Sequence, residues 1–123
     1  MPGPRILLVD DDPVILDLLA VNFELEGFVV LRATDGVEGV ERARADQPDV
    51  IVSDIMMPRR SGLELLAEVK ADPATAHIPV VLLSAKGLAA DVRAGLDAGA
   101  DEYVTKPFEP DDLLARVDKL LGR

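Results

Sequence analysis

A chain of 123 residues with 49% apolar side chains is long enough to fill one hydrophobic core, which excludes a multidomain enzyme and argues against disorder. Lys plus Arg number 13 and Asp plus Glu 23, so the net charge of −10 repels phosphate backbones and anionic lipid, and neither nucleic acid nor membrane is expected as a direct partner. The absence of cysteine removes disulfides, thiolate metal sites and Cys nucleophiles, aromatics at 3% are too few for a stacking platform, and no apolar run nears the ~18 residues of a membrane span; one cytoplasmic domain over residues 1–123, without an output domain, is the expectation.

In chain order, Ile6-Leu7-Leu8-Val9 is a continuous aliphatic run of the kind that forms a strand buried on both faces. Asp12-Pro13 follows as helix N-cap and first helical proline, and Ile15, Leu18, Leu19 and Phe23 make one apolar stripe that Gly27 ends. Phe28 to Leu31 is a shorter strand, and the second helix runs from about Val37 to Ala45. Val50-Ile51-Val52 is the third strand, and Leu63, Leu66 and Val69 mark the third helix. Val80-Val81-Leu82-Leu83 is the fourth strand, followed by a helix with Leu88, Val92 and Leu96 before Gly99. Glu102 to Thr105 is the last strand, and the last helix starts at Pro110 with Leu113, Leu114, Val117, Leu120 and Leu121. Strict alternation requires crossovers between parallel strands, and right-handed crossovers place helices on both faces, so the expected architecture is an open α/β sandwich with all five stripes facing the sheet.

In such sheets the working site lies beyond the carboxyl ends of the strands. The residues there are Asp10-Asp11-Asp12, Ser53-Asp54, Ser84-Ala85-Lys86 and Thr105-Lys106-Pro107. Like charges about 4 Å apart repel by roughly 4 kcal/mol at an effective dielectric near 20, so Asp10, Asp11 and Asp54 cannot crowd together without a cation. Lys106 offsets one charge, and the remainder suits a hard divalent ion; magnesium, or manganese, fits better than zinc because the rim has no His or Cys. His77 reads as a solvated loop residue and Asp12 as a helix cap or turn. Singly, Lys106 could be a surface lysine, Ser84 a helix cap and Tyr103 edge-strand packing; coincidence of the whole set is what points to chemistry.

Leu8-Val9-Asp10-Asp11-Asp12-Pro13, Asp54-Ile55-Met56-Met57-Pro58 with Gly62, Leu83-Ser84-Ala85, and Gly99-Ala100-Asp101-Glu102-Tyr103-Val104-Thr105-Lys106-Pro107-Phe108 together resemble the receiver domain of two-component response regulators over the whole chain. The resemblance implies a (βα)5 flavodoxin-like sheet in strand order 2-1-3-4-5. It implies Asp54 as phospho-acceptor from a sensor histidine kinase or His-phosphotransfer protein, with the domain catalysing only its own phosphorylation and dephosphorylation. Asp11, Asp54 and the backbone carbonyl of Met56 would bind magnesium directly, and Asp10 through water. Ser84 and Lys106 would hold the phosphoryl oxygens, Tyr103 would be an aromatic switch, and Pro107 would follow a cis bond that aims Lys106. Output would pass through the surface of the fourth helix, fifth strand and fifth helix, to a downstream protein or a second copy; the charged residues Arg93, Asp97, Asp111, Asp112, Arg116 and Lys119 lie there. Met56 and Lys86 occupy positions the resemblance links to phosphoryl lifetime, and Arg59-Arg60 read as two solvated arginines, with partner choice or phosphate attraction as the alternative.

Two rivals share these residues. Asp10-Asp11-Asp12-Pro13-Val14 also fits the D-x-D-x-[TV] signature of haloacid-dehalogenase-like phosphatases, but these need a flap where a helix is expected to start and a further acidic motif after the lysine. A phosphate-independent pseudo-receiver usually lacks part of the site, and here every member is present.

Overall fold

The structure, a computed structural model, describes residues 3–57, 59–85, 93, 97, 99–106 and 108–122. Its strands are β1 (Arg5–Val9), β2 (Val29–Ala33), β3 (Val50–Asp54), β4 (Val80–Ala85) and β5 (Glu102–Lys106). They form one parallel sheet in the order β2-β1-β3-β4-β5, as expected. Between them lie α1 (Pro13–Leu25), α2 (Gly36–Asp46) and α3 (Gly62–Ala71), and a closing helix spans Pro110–Leu120. The expected fourth helix, with Leu88, Val92 and Leu96, lies outside the described residues, as do Lys86 and Pro107.

Strand alternation divides the core into two layers, because successive side chains leave opposite faces of the sheet. Ile6, Leu8, Val50, Val52, Val81 and Leu83 pack with α1 and the closing helix through Leu16, Leu19, Phe23, Leu113 and Val117. Leu7, Val9, Ile51, Val80 and Leu82 pack on the other face with α2 and α3 through Val40, Ala43, Leu65, Leu66 and Val69. The inner strands can be apolar at every position because both faces are covered. The edge strands β2 and β5 are only partly buried, which is why their sequences are mixed and their apolar runs short.

Local signals explain where the helices begin. Asp12 caps α1 by accepting the Val14 N–H, with Pro13 at the first helical position. Asp35 caps α2, and Ser61 with Glu64 forms a reciprocal capping box on α3. At the far end of α1, Gly27 at φ 89° turns the chain into β2, and the Phe23 and Phe28 rings meet edge-to-face at 5.1 Å. One stripe departs from expectation: Leu18 is exposed, and Leu16, Leu19, Ala20 and Phe23 form the buried face of α1. The apolar runs on either side of Asp17, Val14 to Leu16 and Leu18 to Val21, hide which face is covered until the sheet is in place.

Candidate functional site

Parallel strands end on one rim, and the rim gathers charge. Asp10 directly follows β1, and its N–H still donates to the Ala33 carbonyl at 3.1 Å, so the sheet ladder fixes its backbone. Its side chain is drawn inward, leaving the residue 2% exposed, and Oδ1 accepts the Asp12 N–H at 2.9 Å. Asp54 is the last residue of the central strand β3 and is 7% exposed; its Oδ1 accepts the Ile55 N–H at 3.0 Å. From the end of β5, Lys106 extends between them, with Nζ 3.3 Å from Asp54 Oδ2 and 3.5 Å from Asp10 Oδ2. The contact to Asp10 is one of charge, and Asp10 Oδ2 is buried without a hydrogen-bond partner among the described residues.

Asp11 is exposed and completes the cluster: carboxylate oxygens of Asp10, Asp11 and Asp54 lie within 4.8 Å of one another. An all-oxygen donor set with one buried oxygen lacking a donor fits a hard divalent cation, and Lys106 alone cannot neutralise three carboxylates. Burial raises the Asp10 pKa above the usual carboxylate range, the neighbouring Asp54 charge adds to this, and the Asp12 amide and Lys106 oppose it. Burial likewise raises Asp54, against the pull of Lys106 and the Ile55 amide and with a further push from Asp11.

The remaining expected residues fall around this centre. Ser84 is buried on β4, in register with Thr105, one step below the level of Lys106. Tyr103 lies opposite Leu82 and packs on the α2–α3 layer, with its hydroxyl buried and lacking a hydrogen bond among the described residues. Met56 is exposed in the loop beyond β3, and His77 is exposed far from the rim, in the segment before β4. That α1 starts at Pro13, directly after Asp12, leaves no room at that point for a phosphatase flap.

The two arginines after β3 stay at the surface, Arg59 exposed and Arg60 half-buried, and each has an acidic partner. Arg59 Nε donates to Asp35 Oδ2 at 2.8 Å, and Arg60 pairs with Glu68, so both guanidiniums are neutralised within the domain. Asp35 and Gly62 matter to this loop as well: a Cβ on Gly62 would stand 2.3 Å from the Asp54 carbonyl oxygen, a contact no larger residue can make. Gly62 was visible in the sequence, whereas the pairing of Asp35 with Arg59, 24 positions apart, has no local signature.

Residues 6–118 match the family model for the response regulator receiver domain, and the chain belongs to that family. Among its relatives, the DNA-binding dual master transcriptional regulator RpaA of Synechocystis is 46% identical over 120 residues, covering 98% of this chain and 50% of the relative. The alkaline phosphatase synthesis transcriptional regulatory protein PhoP of Bacillus subtilis is 40% identical over 97% of this chain and 49% of its own length. The chain thus spans about half the length of the curated relatives it matches. Solved structures of similar shape include a putative response regulator from Chloroflexus aurantiacus, with a TM-score of 0.93 at 34% identity over 98% of this chain and 99% of that one. The receiver domain of a sensor histidine kinase from Pseudomonas aeruginosa, solved with magnesium coordinated in its active-site cleft, has a TM-score of 0.91 at 29% identity over 98% of this chain and 99% of that one. These names do not support the expectation that nucleic acid plays no part, since one relative is described as DNA-binding.

The raised carboxyls carry a stability cost at neutral pH. A folded-state pKa above the unfolded one means that the native state binds the proton more tightly, so stability falls as pH rises through the window from the ordinary carboxylate value to the raised one, and stays lower above it. Asp10→Asn should therefore unfold at higher urea than the parent near pH 7, and its advantage should shrink by about pH 4. Equal midpoints at neutral pH, or an advantage that grows on acidification, would contradict this electrostatic account.

Proposed function

We propose that this domain takes a phosphoryl group onto Asp54 from the phosphohistidine of a sensor histidine kinase or His-phosphotransfer protein, and so serves as a switch in a two-component phosphorelay. The observation that carries this reading is a buried carboxylate at the end of the central strand with an ammonium 3.3 Å away and two further carboxylates in its cluster. An Asp54 oxygen attacks phosphorus as the bond from phosphorus to the imidazole nitrogen breaks; the electron pair leaves with the imidazole and a mixed anhydride remains. Hydrolysis of that anhydride by water returns the carboxylate and inorganic phosphate, and the domain catalyses no other reaction. Lys106, already beside Asp54 Oδ2, pairs with the added phosphoryl charge, and the Ser84 hydroxyl donates to a phosphoryl oxygen.

Asp11, Asp54 and the Met56 carbonyl are assigned as direct magnesium ligands, and Asp10 as a ligand through water; manganese suits the same oxygens. When bound, the ion neutralises charge on the transferring phosphoryl group. Asp10 contributes by holding Lys106 from the opposite side, which keeps the ammonium between the two buried carboxylates.

A protein donor is favoured by the surface next to the rim. Val14, Leu18, Val21 and Leu25 are between 52% and 79% exposed, and their spacing puts them in one stripe along α1 that starts beside Asp11 and Asp12. A small phosphodonor needs no such stripe, whereas a helix of the donor protein can lie in it. On the output side, the buried Tyr103 hydroxyl, which has no hydrogen bond among the described residues, supports a two-state side chain that answers to Ser84, and the surface of β5 and the closing helix is assigned to a downstream protein or a second copy. The site of action is cytoplasmic; no helix among the described residues is long and apolar enough to cross a membrane. Net charge −10 sets this domain's own surface against DNA, and any DNA contact is assigned to parts of a longer protein outside the half that is matched.

Acetyl phosphate with Mg²⁺ should add one base-labile phosphoryl group to the parent, detected by intact mass, whereas Asp54→Asn and parent stripped of metal by a chelator should add none. An unchanged adduct on Asp54→Asn would reassign the acceptor. For the donor stripe, Leu18→Asp with Leu25→Asp should slow transfer from a phosphorylated histidine-kinase domain at least about tenfold, the scale of a lost apolar contact, and leave the acetyl phosphate rate as it was; equal slowing of both, or of neither, rejects the stripe. Beryllofluoride on Asp54 should shift the amide resonances of 102–105 more than those of α2, and shifts confined to the rim loops would reduce Tyr103 to packing.

A further inference from the structure

The chain returning from the β3 loop is wedged between two surfaces. On one side, Gly62 donates its N–H to the Ile55 carbonyl at 2.9 Å and approaches the Asp54 carbonyl so closely that a Cβ would stand 2.3 Å from it. On the other, the Arg60 carbonyl accepts the Gly36 N–H at 3.1 Å, and a Cβ on Gly36 would stand 2.2 Å from that same oxygen. Residues 59–62 therefore bridge the first turn of α2 and the backbone that carries Asp54. Arg59 sits at φ 64°, in the left-handed region that L residues other than Asn and Asp seldom occupy, so its backbone contributes strain rather than anchorage. What holds it is the side chain, whose Nε donates to Asp35 Oδ2 at 2.8 Å. Asp35 is itself immobilised, because its other oxygen accepts the Glu38 N–H at 2.8 Å as the α2 cap. Both members of the pair are perturbed in the direction an ion pair requires: Asp35 is pulled below the usual carboxylate range, chiefly by the hydrogen bond from Arg59, and Arg59 is pushed up, chiefly by the hydrogen bond to Asp35.

The bridge ends at the cluster. Ile55, which Gly62 holds through its carbonyl, shares its N–H between the Leu83 carbonyl and Asp54 Oδ1, each at 3.0 Å. We propose that Arg59 is a positioning residue for the acidic site: its ion pair with Asp35 presses the 59–62 segment onto the Asp54–Ile55 backbone, and thereby sets how tightly Asp10, Asp11 and Asp54 bind a divalent cation. Arg59 touches neither the cation nor the phosphoryl group; it acts through Gly62 and Ile55, as outer partners of a metal site do. The inference rests on the magnesium reading above, and it concerns affinity rather than the identity of the ligands.

Glycine separates the side chain from the backbone, because Arg59→Gly removes the ion pair and relieves the left-handed strain, whereas Arg59→Ala removes the pair and keeps the strain. Titrated with Mg²⁺ alone in a calorimeter at low ionic strength, both variants should bind about two- to fivefold more weakly than the parent, the range of an exposed ion pair, and Arg59→Lys should recover most of the loss. The ratio of parent to Arg59→Gly affinity should fall toward one at roughly 0.5 M salt, which screens an exposed pair and leaves a purely steric role untouched. Parent-like binding by Arg59→Gly, or a ratio indifferent to salt, overturns the proposal. Native-state amide exchange of Ile55 and Gly62, referenced to Leu82 in the core of β4 so that any global loss cancels, provides the second readout. Exchange at both should be faster in Arg59→Gly, and equal rates reject the strap. If the parent itself binds no Mg²⁺, the metal reading is what fails, and the exchange comparison still decides whether Arg59 holds the Asp54 backbone.

Discussion

Two carboxylates buried at the ends of neighbouring parallel strands, with one ammonium between them, are the constraint on which the rest of this domain depends. Asp10 and Asp54 are withdrawn from water, and both carry raised pKa values because of it. Lys106 can answer them only because β5 is long enough to bring its last residue to the same rim, and because β4 sets the register that fixes that level. The sheet spends two well-packed apolar layers on keeping this charged edge in place. A site so arranged favours an added cation, which relieves the repulsion between the carboxylates.

The rim is held from outside by charges that a simple count overlooks. The surplus of acid is ordinarily read as a solvated surface, yet Asp35 and Glu68 are engaged with Arg59 and Arg60, and these pairs tie α2 and α3 to the loop after β3. Close packing does the remainder, with Gly36 and Gly62 letting backbone approach backbone on either side of that loop. On the opposite edge of the sheet, Lys70 donates to the Ile78 carbonyl at 2.8 Å and pairs with Asp101, which in turn accepts the Val80 N–H at 2.9 Å. That arrangement secures the start of β4 and β5, and so the register that delivers Ser84 and Lys106. Positive charge in this domain is thus largely committed to internal pairs, consistent with a surface that presents acid and apolar side chains to partners.

Two surfaces flank this site: the exposed apolar stripe of α1, and β5 with the closing helix, which shares a core layer with α1. The first starts beside the rim and the second contains Tyr103. The relatives whose length this chain half covers are named as transcriptional regulators.

Much of this was legible in the residues alone. Continuous aliphatic runs bounded by turn residues announce inner parallel strands, since only strands covered on both faces dispense with polar positions, and parallel direction then puts Asp10, Asp54, Ser84 and Lys106 on one edge. Asp12-Pro13 likewise announces a helix start, because capping is a local interaction between residues two apart. Periodicity failed at Leu18, which lies on an exposed face, because a helix with apolar residues on most sides does not state which side the sheet will cover. The acidic partners of Arg59 and Arg60 are hidden from the sequence for a related reason: a charge pair between positions 24 or 8 apart depends on how the segments pack, and nothing in either segment encodes the other. The sequence by itself determined the strand and helix order, the identity of the rim residues and the need for a counter-charge; tertiary structure alone decided that Lys106 stands between Asp10 and Asp54, that Asp10 Oδ2 has no hydrogen-bond partner among the described residues, and that Arg59 clasps Asp35, because distances between segments arise only when the layers close on the sheet.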